Sequence, residues 1–584
     1  MSANDRVLID QLIDEKRNAR EAVLTFDAAF ERFACEHALH GFGLSDEEVE
    51  GGVMGGGNDG GIDGVYVFLG NRLLHEDSEI LTQPTAAANV EVGVRLTLWL
   101  VQAKKSTSFS ETALDKVAAT CSTMLDLSAD ESDLEQLFSP ELIARFGIFK
   151  TALARLLKRH PKVSIKFSYV TRGEADEVHP KVLVKAKHLE AQFDSAFAVS
   201  SGEVEFLGPA ELWRRSSNLP SYTLELPYRE SITHGTSHIA LVALGDYVEF
   251  LSDEKQAIKS HIFDWNVRDY QGNVEVNREI AATLERADAP EFWWLNNGVT
   301  IVCSQATSVG KKLSLSDVQI VNGLQTSYTV YEALRDEYLS DPTAPVFERL
   351  VQVRILVTAD QVARDAVIRA TNRQTAVPVA SLRATDDIQR QIESYFFEHG
   401  WFYDRRKNFY RNQGQPADRI VSIPALAQSV MAMALGQPDY ARARPSSLLK
   451  SDSDYRRVFS EKTPLPVYLW LVQNQRRTDD FFQVLPKPVT RSEYTNLRFH
   501  LAMLGVVDLI GEVFSDPGLL SNVARAGEEV FPTTMRLSSL WYQLQHEYVA
   551  FQRKHRAGVD KTAKSSEFVA HLTNALGYGM LRRR

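Results

Sequence analysis

The stretch that decides the fold is GGIDGVYV at residues 60–67, read together with LTLWLVQAKK at residues 96–105. Two glycines bring the chain to Asp63, and an apolar run follows at once. The second run is more apolar still and ends on Gln102-Ala103-Lys104. Short runs rich in Val, Leu and aromatic residues, bounded by glycine or charge, read as buried strands. Side chains alternate along a strand, so Gln102 and Lys104 share a face. A polar pair at the end of so apolar a strand needs partners, because buried polar groups are satisfied in folded proteins. Asp63 offers a carboxylate, Gln102 an amide oxygen and Lys104 an ammonium. A hard divalent cation takes oxygen ligands of this kind. The expected chemistry is a Mg2+ (or Mn2+) site, with Lys104 orienting or deprotonating an attacking water.

The surrounding text reads as a compact α/β domain. Residues 7–42 are helical in pattern, with Phe26, Phe30 and Phe33 at helical spacing. A helix is expected at about 110–127 and another through ELIARFGIFKTALARLLKRH, before the strand-like runs VSIKFSYVTRG and VEFLG. NLPSYTLELP (218–227) reads as a linker. The strand-like runs HIALVALGDYVEFL, GVTIVC, SDVQIVNG and RLVQVRILVT are then mixed with helical ones, and Asn-Gly at 297–298 and 322–323 predicts two tight turns. Beyond about residue 450 the apolar spacing fits a helical bundle. The expected fold is a multidomain α/β (α+β) one, with domains at 1–215, 228–450 and 451–584.

Composition narrows the function classes. With 584 residues, 44% hydrophobic and 24% charged, the chain is not a disordered one. Its net charge is −11, so it is not coated in basic residues for nucleic acid. That total conceals a split. Residues 1–150 hold 26 acids and 12 bases, and the remainder holds 50 acids and 53 bases. Three cysteines far apart, with no CxxC, argue against a disulfide framework or a zinc site. With no apolar leader and no long apolar span, no membrane partner and a cytoplasmic protein are expected. The glycine run also contains Gly55-x-Gly57-x-x-Gly60, but it precedes a strand, whereas a dinucleotide fingerprint opens a helix. It reads as an approach to Asp63.

Asp63, the Gly60–Gly64 turn and Gln102-Ala103-Lys104 resemble the PD-(D/E)xK nuclease superfamily, in its Mrr-like branch, where Gln replaces the acidic residue. The proline that classically precedes the aspartate is Ile62 here. The resemblance implies a restriction-endonuclease-like N-terminal domain with a central mixed sheet. It also implies a metal-assisting glutamate on the preceding helix, matched by Glu31 after Phe30, with Glu36 as second choice. The implied catalytic set is Asp63, Gln102, Lys104 and Glu31, with Asp63, Gln102 and Glu31 at the metal and Lys104 at the nucleophile. Asp59 is the alternative ligand and reads better as a turn residue.

A second resemblance lies at about 260–410. Asn266-Val267-Arg268, FWWLNNGVTI (292–301), QIVNGLQT (319–326) and ATNRQ (370–374) are similar to the abortive-infection phage-resistance family AIPR, with Leu324 where a polar residue is common. This implies an α/β AIPR-type domain, an anti-phage role beside a nuclease domain, and a phage-derived or partner-protein trigger. Asn297, Asn322, Gln325, Asn372 and Arg373 are candidate ligand or sensor residues; the alternative is that each amide satisfies its own turn. The segment WFYDRRKNFYRNQG (401–414) interleaves rings with bases. Arg405, Arg406, Lys407 and Arg411, with Lys105, are the expected nucleic-acid contacts. DNA is preferred to RNA as partner, and a homodimer suits the cutting of two strands. The rival reading is a nucleic-acid or nucleotide-binding regulator with a catalytically inactive nuclease domain, since Gln102 stands in place of an acid.

Overall fold

The computed structural model describes the chain apart from residues 1, 19–24, 41, 56, 218–222, 254–255, 264–274, 286–289, 359–362, 364–366, 368–385, 406–408, 413, 445–446, 450, 486–488, 514–516, 521–530, 557 and 581–584. It divides into two compact units. The first joins Met1–Asn218 with Ile388–Arg584, and the second is Leu219–Asp387. Residues 388–450, read from the sequence as part of the middle domain, lie in the first unit.

In the first unit, helices α1 (Ser2–Asn18), α2 (Phe26–Ala38) and α3 (Asp46–Gly52) precede a five-stranded sheet. Its strands are β1 (Gly64–Leu69), β2 (Arg72–Leu73), β3 (Arg95–Lys104), β4 (Lys162–Thr171) and β5 (Ser200–Leu207), in the order β2-β1-β3-β4-β5. β1 runs antiparallel to β2 and β3, while β3, β4 and β5 are mutually parallel. Parallel neighbours need crossovers. The helices Glu111–Met124 and Pro140–Leu156 lie in the first crossover and Pro180–Asp194 in the second.

Both faces of the sheet are covered, which is why β3 reads as a nearly unbroken apolar run. Val65, Val67, Leu96, Leu98 and Leu100 pack with Leu114, Phe146 and Phe149 of the crossover helices. The alternate residues Tyr66, Phe68, Trp99 and Val101 pack with Phe30, Phe33 and Cys35 of α2. Thr25 caps α2, its hydroxyl accepting from Ala28 N at 3.2 Å. All three cysteines are buried, and none is in a disulfide.

The rest of the first unit is mainly helical. A short parallel pair, β14 (Phe402–Asp404) and β15 (Ile420–Ser422), is followed by long helices at Leu465–Gln483, Arg491–Ile510 and Thr534–His555. The second unit holds β6 (Leu224–Pro227), β7 (Glu230–His234), β8 (Ser237–Ala243), β9 (Val299–Cys303), β10 (Gln305–Val309), β11 (Lys312–Ser316), β12 (Gln319–Asn322) and β13 (Leu350–Val357). They form a sheet β12-β9-β13-β8-β7 and a smaller one, β10-β11-β6. The fold is thus a multidomain α+β one with a helical C-terminal region. Two local readings change. The end of NLPSYTLELP is strand β6 rather than linker. HIALVALGDYVEFL is strand only to Ala243 and then the helix Leu244–Leu251. An unbroken apolar run does not distinguish the two periods by itself.

The acid excess of the first 150 residues is matched within the same unit. Arg411 pairs with Glu36, lies 3.7 Å from Asp46 and donates to Leu44 O at 2.9 Å. Arg491 pairs with Glu50. Arg442 lies 3.2 Å and Lys564 2.5 Å from Glu76. Burial alone would raise the Glu36 and Glu76 carboxyls. Lys16 and Arg411 hold Glu36, and Arg442 and Lys564 hold Glu76, well below the usual carboxylate range.

Candidate active site

The turn before β1 is built from glycines in the left-handed region, Gly60 at φ +63° and Gly61 at φ +81°. A Cβ at Gly60 would lie 2.5 Å from the Thr120 side chain. Thr120 Oγ1 instead donates to Gly60 O at 2.8 Å. Asp59 Oδ1 accepts from Gly61 N at 2.7 Å and lies 3.3 Å from Lys116 Nζ. Asp59 therefore serves the turn. Thr120 and Lys116 carry no sequence signal, because they come from a helix more than one strand away.

The turn delivers Asp63 to the end of β3. Asp63 N donates to Val101 O at 2.8 Å, and its own carbonyl accepts from Met54 N at 2.8 Å. Asp63 Oδ2 accepts from Ala103 N at 2.8 Å and lies 3.5 Å from Lys104 Nζ. Asp63 is 5% exposed. Burial raises its pKa, and the Lys104 charge and the Ala103 N–H act the other way.

Gln102 is 1% exposed, and its Oε1 accepts no hydrogen bond among the described residues. A Cβ at Gly61 would lie 3.3 Å from Gln102 Nε2, so the amide sits against the glycine turn. Glu31, on α2, is partly buried. Its pKa is raised to about 7, first by burial and then by the Asp63 charge, with Lys104 opposing. Asp63, Gln102, Lys104 and Glu31 are thus brought into one neighbourhood. Glu36 is turned to Lys16 and Arg411 and belongs to the ion-pair network.

Among the described residues, no three His, Cys, Asp or Glu side chains form a metal-holding group. The oxygens gathered here are two carboxylates and one amide. That set suits a hard cation that completes its shell with water and phosphate, and the unpartnered Gln102 Oε1 fits such a ligand role.

The expected nucleic-acid contacts fare differently. Lys105 is exposed and pairs with Asp27 at 2.8 Å. Arg405 is 5% exposed, with its guanidinium 2.9 Å from Glu393, so it is a core ion pair rather than a phosphate contact. Arg411 is held by Glu36 and Asp46 and is likewise corrected to a structural role. The reason is the same for both: their carboxylate partners are close in space, and those of Arg411 lie far away in sequence. Arg406 and Lys407 lie outside the described residues.

In the second unit the two Asn-Gly turns adjoin. Gly298 has φ +74° and Gly323 φ +95°. A Cβ at Gly323 would lie 2.9 Å from Val299 and 3.1 Å from Gly298 O. Asn296 Oδ1 accepts from Gly298 N at 3.0 Å and Thr326 Oγ1 at 3.2 Å, tying the turns together. Asn297 is exposed, and its carbonyl accepts from Arg354 at 2.9 Å. Asn322 ends β12, and Gln325 lies in the first turn of the helix Leu324–Ser340. Asn372 and Arg373 lie outside the described residues, as do the 266–268 and 370–374 blocks.

Residues 263–492 match the family model described as AIPR protein. No curated protein and no solved structure matches the chain. Among the described residues, no helix is long and apolar enough to cross a membrane.

Proposed function

We propose that this chain, with its AIPR match over residues 263–492, is a metal-dependent nuclease in an abortive-infection defence against phage. The reaction is phosphodiester hydrolysis, with DNA as the preferred substrate. One observation carries the enzymatic reading. Gln102 Oε1 is buried without a protein partner at the strand end where Asp63 also arrives. An orphaned buried oxygen costs about 1–3 kcal/mol, which a ligand at that position would offset.

The mixed sheet supports the reading, with Asp63 entering an antiparallel strand and Gln102 and Lys104 ending its neighbour. Asp63, Gln102 and Glu31 would hold Mg2+ or Mn2+. When bound, the ion supplies Lewis acidity at the phosphate and lowers the pKa of a bound water. Lys104, 44% exposed in its side chain and 3.5 Å from Asp63, would meet a phosphate oxygen or orient the water. Glu31 changes charge near neutral pH, so it is a carboxylate ligand mainly above pH 7. The AIPR match supports the defence role, and a phage-derived or protein trigger belongs to the same proposal. A homodimer would place two such sites on two strands.

Asp63→Ala and Lys104→Ala, tested on plasmid DNA with Mg2+, check the assignment. Both are expected to lose cleavage. Two variants that cut as well as the parent would sink it. A second reading, an inactive nuclease domain in a nucleic-acid-binding regulator, is favoured by the absence, among the described residues, of a metal-holding group of three His, Cys, Asp or Glu side chains. It predicts Mg2+-independent binding of DNA and no turnover by the parent.

A further inference from the structure

A cavity of about 770 Å³ opens in the first unit, and none of the candidate catalytic residues lines it. Its wall combines α3 and β1 with the C-terminal segments of the same unit. Nine arginines and nine acidic residues line it. The wall therefore has no net cationic field of the sort that holds a nucleic-acid polymer. Its selectivity must come from individual groups.

Many of those charges are already matched. Glu50 lies 3.3 Å from Arg32, Glu76 3.2 Å from Arg442 and Asp479 3.5 Å from Arg498. Four arginines have no carboxylate within ion-pair distance among the described residues, namely Arg145, Arg419, Arg476 and Arg477. Arg145 donates to Gly51 O. Arg476 donates to Ile420 O at 2.8 Å. Arg419 reaches Gly400 O at 3.5 Å and lies 5.8 Å from the Trp401 ring. Arg477 makes no hydrogen bond among the described residues and sits 4.1 Å over the Phe531 ring. A guanidinium has five N–H donors, so each retains open ones. A half-buried arginine laid on an aromatic face presents a planar fork suited to phosphate.

We propose that this cavity binds a small nucleotide, its phosphates on Arg145, Arg476 and Arg477 and its base beside Trp401 and Arg419. The volume is that of a ligand pocket, which runs at about 300–1,000 Å³. Base stacking on a ring or a guanidinium plane is a sequence-tolerant contact for such a ligand. The site is independent of the nuclease reading.

The full-length protein is titrated calorimetrically with ATP, GTP, pyrophosphate and adenosine, and its melting is followed with each. ATP or GTP is expected to bind and raise the melting temperature, pyrophosphate to bind more weakly, and adenosine to have no effect. The double variant Arg476→Gln, Arg477→Gln should bind nucleotide roughly tenfold more weakly or worse. Its ligand-free melting should match the parent. If that variant melts lower, Trp401→Leu is used instead, with nucleotide affinity reduced and pyrophosphate affinity kept. Asp63→Asn should bind nucleotide like the parent, which separates this cavity from the candidate metal site. No binding of ATP, GTP or pyrophosphate would overturn the proposal. So would equal affinity for ATP and pyrophosphate, unchanged binding in both cavity variants, or loss of binding in Asp63→Asn.

Discussion

Arg411→Met should loosen the N-terminal helices of the first unit, and its cost can be estimated from its partners. Arg411 binds Glu36, donates to Leu44 O at 2.9 Å and lies 3.7 Å from Asp46. The two side chains of the main pair are 25% and 11% exposed. Removing one partner of a fully buried pair costs about 3–5 kcal/mol. Two facts reduce this. Arg411 is partly solvated, and Glu36 keeps Lys16 at 2.7 Å. About 2 kcal/mol is therefore expected for Arg411→Met. With a urea m-value of at least about 3 kcal/mol/M for so large a unit, the midpoint should fall by at most about 0.7 M. Glu36→Gln removes the same contact from the other side. The double variant should then cost less than the sum of the two singles, by about 1–2 kcal/mol. Hydrogen exchange over α1 and α2, measured beside the urea curves, places the loss. The sign with pH also follows. The Glu36 carboxyl is depressed, so its contribution is present above about pH 4.5 and is lost as pH falls below that value. Strict additivity of the two variants, or no pH effect on their difference in acid, would refute the assignment of this pair as a tie.

Other expectations concern the candidate site. Glu31 is raised to about 7, so in the metal-free protein its ionisation opposes folding, and stability should decline as pH rises from about 4.5 through 7. Binding of Mn2+ should release about 0.9 proton from Glu31 at pH 6 and about 0.1 at pH 8, with apparent affinity rising about tenfold between them. Calorimetry in two buffers of different ionisation enthalpy reads this, and Glu31→Gln should abolish it. Gln102→Leu removes an unsatisfied buried oxygen, so it should leave the metal-free protein as stable as the parent or about 1 kcal/mol more so, while losing Mn2+ binding. Gly60→Ala should destabilise by about 1–3 kcal/mol, because it combines φ +63° with a clash against Thr120. A melting temperature equal to the parent's would contradict that account of the turn.

The sheet and its turn were legible in the sequence because the signals are local. Glycines at positive φ lead into Asp63, β1 is apolar, and β3 is apolar from Leu96 to Val101 apart from Thr97. Glu31 was singled out by the nuclease resemblance, through the Phe30-Glu31 dipeptide on the preceding helix, and not by spacing alone. The misread elements depend on distance. WFYDRRKNFYRNQG looks like an exposed basic loop until Glu393 and Glu36 are placed beside Arg405 and Arg411. The four cavity arginines without a carboxylate partner are scattered from residue 145 to residue 477 and form no motif. HIALVALGDYVEFL changes from strand to helix within one apolar run, where composition favours neither period.

The ties of the first unit also set a clock. Arg411 follows Glu36 by 375 residues, Arg491 follows Glu50 by 441, and Lys564 follows Glu76 by 488. At about 5–20 residues per second of synthesis, each acid waits roughly 20–100 s for its counter-charge to be made. During that interval Glu36 of α2, the helix that carries Glu31, lacks one of its two cationic partners. A nascent chain halted before residue 411 would never gain it. Ties that match acid to base over 375 to 488 residues therefore make translation through residue 411 a precondition for the second anchor of that helix.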